Sequence, residues 1–80
     1  MKLFKVWQNK NNEYDTYDSA IVAAEDEQAA KMTHPSKENW SGKCDSYDSW
    51  CDVKYVKVEY IGEAKAGTEA GVICASFNAG

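Results

Sequence analysis

In VKYVKVEYIG, residues 53–62, Val56, Val58 and Tyr60 alternate with Lys57 and Glu59. A period of two sends successive side chains to opposite faces of a strand, so this segment buries one face and wets the other. A strand of that kind belongs in a sheet covered on one side, which steers the whole chain away from a helical bundle and from a doubly covered parallel sheet.

The remaining segments fit that frame. LFKVWQ, residues 3–8, is rich in strand formers and runs into the polar stretch 9–13, whose Asn residues tolerate turn geometry. TYDSAIVAA, residues 16–24, ends in an apolar run, and the two segments pair most simply as an antiparallel hairpin. The period then changes in EDEQAAKMTHP, residues 25–35. Its acids suit a helix N-terminus, Asp26 caps it, and His34 with Pro35 stops it, which predicts one helix of about ten residues with Ala29, Met32 and Thr33 on its apolar side. Residues 36–52 keep no period around Trp40, Tyr47 and Trp50 and read as a long ordered loop. After the strand at 53–62, residues 63–71 form a Gly and Ala turn region and VICASFN, residues 72–78, a last strand.

The expected fold is therefore a single α+β domain over residues 1–80, in the order β-β-α-β-β, with an antiparallel four-stranded sheet and one helix packed on one face. A chain of 80 residues is too short for two cores. One helix leaves the second sheet face to water, to the long loop or to another subunit. Trp7 and Tyr55 have the parity of that second face, so a homodimer is one way to cover it.

Charge and chemistry exclude several functions. Thirteen acids against nine basic residues, all of them Lys, give a formal net charge of −4. No stretch concentrates cations as phosphate binding requires, and direct nucleic-acid binding is not expected. The absence of Arg removes the side chain best suited to bidentate phosphate contacts. No apolar run approaches the ~18 residues of a membrane span, and MKLFKVWQNK lacks a secretory signal, so the expected location is the cytoplasm. Three cysteines, an odd number, favour a reducing compartment, although Cys44 and Cys51 are close enough to bridge a loop under oxidant. With His34 the thiols make four soft donors, but their spacing lacks a zinc knuckle, and no metal or other cofactor is expected. His34 reads as a polar helix end, where partial positive charge suits the macrodipole. AGTEAG lacks the Lys and the strand-loop-helix order of a phosphate loop.

YDTYD, residues 14–18, is echoed by CDSYDSW, residues 44–50. The shared stretch is too short for a structural repeat. In a regular strand Asp15 and Asp18 fall on opposite faces, which removes the paired-carboxylate arrangement of an acid and base mechanism. A hairpin end with edge-covering Tyr is the plain reading, and a contact surface the functional one. The candidate partner-binding residues are Tyr14, Asp15, Tyr17, Asp18, Trp40, Tyr47, Asp48 and Trp50, because turn chemistry places them at the surface and aromatics anchor interfaces. Enzyme activity is not expected.

MKLFKVWQ, NNEYDTYDSAIVAAEDEQAAKMTHPS, VKVEYIGEA and GVICASFNAG together resemble a group of small accessory proteins encoded by tailed bacteriophages and prophages. The resemblance covers most of the chain, with residues 37–55 its most individual part. It implies action inside a bacterial host cell by non-catalytic binding to a host protein, for example inhibition of a defence or regulatory complex. Two other roles stay open: an oligomeric sponge for a nucleotide signal, and a minor structural protein of the virion.

Overall fold

The computed structural model describes residues 1–10, 16–36, 40–43 and 49–78. They form strand β1 (Lys2–Trp7), strand β2 (Thr16–Ala24), helix α1 (Glu27–Lys31), a 3-10 turn (Val53–Tyr55), strand β3 (Lys57–Glu63) and strand β4 (Gly71–Asn78). All strand pairs are antiparallel, in the order β3-β1-β2-β4. The expected α+β architecture is present, with the first hairpin at the centre of the sheet and the two later strands added to its sides.

The hairpin register runs from Lys2↔Ala24 to Trp7↔Ser19. Alternation on β1 sends Phe4 and Val6 to one face, where they meet Ala20, Val22 and Ala24 of β2. Leu3, Lys5 and Trp7 take the other face, and the Lys5 ammonium lies 5.4 Å from the Trp7 ring. β2 ends at the sheet end where β1 begins, while β3 begins where β1 ends. The intervening segment, residues 25–56, must therefore travel across the sheet. It supplies Ala30, Trp50, Cys51 and Val56 to the same buried cluster as Phe4, Val6, Ala20, Val22 and Ala24. Trp50, the largest fully buried side chain among the described residues, shares this cluster with the small Ala20 and Ala24 of β2.

Three sequence expectations are corrected. The helix has five residues instead of about ten. Asp26 does cap it, its Oδ1 accepting from the Ala29 amide at 2.8 Å. The helix stops because Thr33 Oγ1 bonds back to the Ala29 carbonyl and because His34, preceding a proline, is kept out of the helical region. Its buried residue is Ala30, and Ala29 is exposed.

The strand expected at 53–62 starts at Lys57, since residues 53–55 close a 3-10 turn. Val53 donates to the Gly42 carbonyl at 2.7 Å, which holds the turn against the preceding loop. Gly42 has φ +89°, and a Cβ there would lie 3.1 Å from Val53 Cγ1. Tyr55 consequently does not line the second sheet face. It is exposed, with the Lys10 and Lys54 ammonium groups 5.1 and 5.2 Å from its ring. Val56 and Val58 do face the core, and the Tyr60 ring meets Phe4 edge-on at 5.8 Å.

Finally, the loop is not a surface feature throughout, because Trp50 and Cys51 belong to the core. No helix among the described residues is long and apolar enough to cross a membrane.

Candidate interaction surface

The end of the sheet where β1 stops and β2 starts is tied together by Gln8. This buried amide donates from Nε2 to the Tyr17 carbonyl at 2.8 Å and accepts from the Lys10 amide at 2.7 Å. The Gln8 backbone amide donates to the Asp18 carbonyl, and the Tyr17 amide donates to the Ser49 carbonyl at 2.8 Å. The start of β2 is thus clamped to β1 on one side and to the loop ahead of Trp50 on the other.

On that clamp sits an aromatic pair. The Tyr17 and Phe77 rings meet edge-to-face, 4.8 Å between centroids and at 60°. Tyr17 is half-buried against the core, whereas Phe77 is 47% exposed. The β2–β4 register shifts between Tyr17 and Ser19, so Asp18 is an extra residue of β2, and it is exposed. A bulge of this kind re-aims a side chain and ends regular pairing.

Trp40 and Trp50 lie elsewhere. Both rings approach His34, at 5.3 and 6.4 Å, and Trp40 Nε1 donates to the Met32 carbonyl at 2.7 Å, closing the helix C-terminus. His34 is 1% exposed, with its Nδ1 accepting from the Ser36 amide. Expected from sequence as a polar helix end, it is a buried member of an aromatic cluster. Trp50, also 1% exposed, is corrected from surface anchor to core residue. Trp40 is half-buried beside it. Tyr14, Asp15, Tyr47 and Asp48 lie outside the described residues.

Of the candidate residues, then, the structure brings Tyr17 and Asp18 to one exposed place and assigns the two Trp residues to packing. Sequence reasoning missed Phe77 and Ile73, which are 47% and 53% exposed on β4. One signal was available: from Gly71 to Asn78 the strand has no charged residue, while β1, β2 and β3 each carry at least one.

Two ionisable groups near these elements depart from their ordinary behaviour. The Cys51 thiol is pushed up to about 11, first by burial and then by Asp52, which keeps it protonated and unreactive. Tyr60 donates its hydroxyl to Glu63 Oε2 at 2.7 Å, and that bond holds its phenol above the ordinary range. Cys74 is a free, exposed thiol. Among the described residues no three His, Cys, Asp or Glu side chains come together as a metal site. An open groove of about 610 Å³ runs between α1 and the β1/β3 side of the sheet, over Phe4 and Tyr60. Asp26 lines it, but its carboxylate is engaged in the helix cap.

No protein family, curated protein or solved structure matches this chain.

Proposed function

We propose that this is a non-catalytic protein-binding domain whose contact surface is the hairpin end formed by Tyr17, Asp18 and Phe77. One observation carries the reading: a half-exposed Phe77 held edge-on by an anchored Tyr17, next to a carboxylate that a bulge projects outward. Rigid aromatics supply contact area at low entropic cost, and an adjacent acid selects a partner surface carrying Lys or Arg. The resemblance to phage accessory proteins supports a bacterial host protein as the partner and the host cytoplasm as the place of action.

The test begins with affinity purification of the intact chain from bacterial cells, followed by mass spectrometry. Phe77→Ala and Asp18→Lys are then compared with wild type for thermal stability and for recovery of the protein found. Loss of that protein with the fold retained supports the proposal. Undiminished recovery by both variants sinks it, as does a purification that returns a bound nucleotide and no protein.

A further inference from the structure

We infer that β4 is a self-pairing edge, and that two copies of this chain join antiparallel through Gly71–Asn78 so that two four-stranded sheets become one. The inference is independent of the hairpin-end proposal, because it rests on the backbone of the strand and on the strand order.

Among the described residues both β3 and β4 are edges, and a sheet edge presents unpaired amide and carbonyl groups to any extended segment that fits. Proteins blunt such edges with charges, bulges or cover. β3 has Lys57, Glu59 and Glu63, and it bulges at Ile61, beside Gly62 at φ +153°. β4 has no charge over eight residues. The helix α1 packs mainly on β1, β2 and β3. Residues 73–77 are all exposed, including Ala75, which pairs with the buried Ala20. A bulge does occur at Ile73, between the Ile21↔Cys74 and Val22↔Val72 pairings, but the run from Cys74 to Ser76 pairs regularly.

Occupancy by a second copy follows from self-complementarity. The edge offers no charge for a charged strand to match, so its occupant is an uncharged extended segment with small and apolar side chains. β4 is itself such a segment, and antiparallel pairing about a two-fold axis sets it against its own copy with no like charges opposed. The alternative contact, β4 on the β3 edge of the next molecule, would propagate without closing, and the β3 charges and bulge oppose it. Association therefore stops at two. Eight residues give up to about eight inter-strand hydrogen bonds. The contact lies near ~1,000 Å², at the low end of specific interfaces, so a dissociation constant on the order of 10–100 µM is expected.

Sedimentation velocity of the full chain in reductant, from 1 to 300 µM (roughly bracketing that range), should show a reversible shift from 8.9 kDa toward twice that mass. Because each copy carries net charge −4 and the ladder itself is neutral, added salt should leave the dimer unchanged or tighten it. Ser76→Lys should weaken it at least tenfold with melting temperature retained, while Ile61→Lys on β3 should not. In a Cys44→Ser background that keeps the buried Cys51, one exposed cysteine at position 74 (native), 75 (Ala75→Cys, with Cys74→Ala) or 76 (Ser76→Cys, with Cys74→Ala) should oxidise to intermolecular disulfides at unequal rates. One position should lead, because the axis sets one residue of β4 against itself. A monomer throughout the range, equal weakening by Ile61→Lys and Ser76→Lys, or equal cross-linking at all three positions would overturn the inference.

Discussion

Trp50 comes from a stretch with no secondary-structure period, yet it is the largest side chain in the core. Truncating it tests whether residues 49–51 are a structural layer or a surface loop. Burying a Trp removes up to ~250 Å² from water, which at ~25 cal/mol per Å² sets a ceiling of ~6 kcal/mol. Measured truncations of buried aromatics cost ~3–5 kcal/mol. A chain of 80 residues has a total stability of about 4–12 kcal/mol, so Trp50→Ala should remove much of it and leave a broad transition or none. Trp50→Phe is the graded version: it loses roughly 50 Å² of buried area, or ~1.3 kcal/mol. For a domain of this size that lowers the melting temperature by ~5–10 °C. Urea and thermal unfolding followed by far-UV circular dichroism are suitable, since the substitution removes a fluorophore. Phe77→Ala is the control and should cost less than ~1.5 kcal/mol, because its ring is half in water already. If Trp50→Phe melts within about 2 °C of wild type and Trp50→Ala remains cooperatively folded, the loop is not part of the core and the packing argument fails.

Gly42→Ala should destabilise by ~1–2 kcal/mol for the left-handed backbone alone, and by more if the Val53 turn cannot yield; an unchanged urea midpoint contradicts this. Asp26→Ala should cost ~0.5–2 kcal/mol through loss of the bond to Ala29, with Asp26→Asn closer to wild type. Equal loss in both would show that charge, and not the cap, matters there. The folded chain keeps the Cys51 proton up to about 11 while the unfolded chain releases it from 9.0, so that contribution is full below pH ~9 and is lost as pH rises toward 11, at up to ~1.4 kcal/mol per unit. The stability gap between wild type and Cys51→Ala should accordingly shrink over that interval, and a constant gap refutes the burial. In native protein a thiol reagent should modify Cys74 at once and Cys51 only on unfolding.

What could be read from the sequence was whatever local pattern dictates. The alternation of Phe4 and Val6 with Leu3, Lys5 and Trp7, and the apolar end of β2, specify the central hairpin, and β2 spans residues 16–24 as expected. Asp26 announces its cap by residue type and position. The strand expected at residues 53–62 is present from Lys57 onward. Its first three residues form a 3-10 turn because Val53 is held by Gly42, a contact between distant residues that no alternation records. Trp50 was misread for the same reason: its burial follows from the path of residues 25–56 across the sheet, and an isolated Trp among Ser and Asp looks the same whether it caps a surface or fills a core. The hairpin-end site was half visible. Tyr17 and Asp18 were singled out, but Phe77, over fifty residues away, joins them only because β4 pairs with β2. Strand order is a tertiary choice, and local propensity is silent about it.

That strand order also bears on how the chain acquires its structure. The central pair forms between neighbours in sequence, but both flanking strands come from residues 57–78, and β4 reaches back across 48 positions (Ala23↔Gly71) to 62 positions (Thr16↔Asn78) to find β2. Loop closure over such separations is slow, and the hairpin waits with two open sides until it happens. During synthesis the apolar faces of Phe4, Val6 and Val22 are made long before Val56 and Val72 arrive to share them. The interval between these events is the time in which a nascent chain is open to wrong pairings.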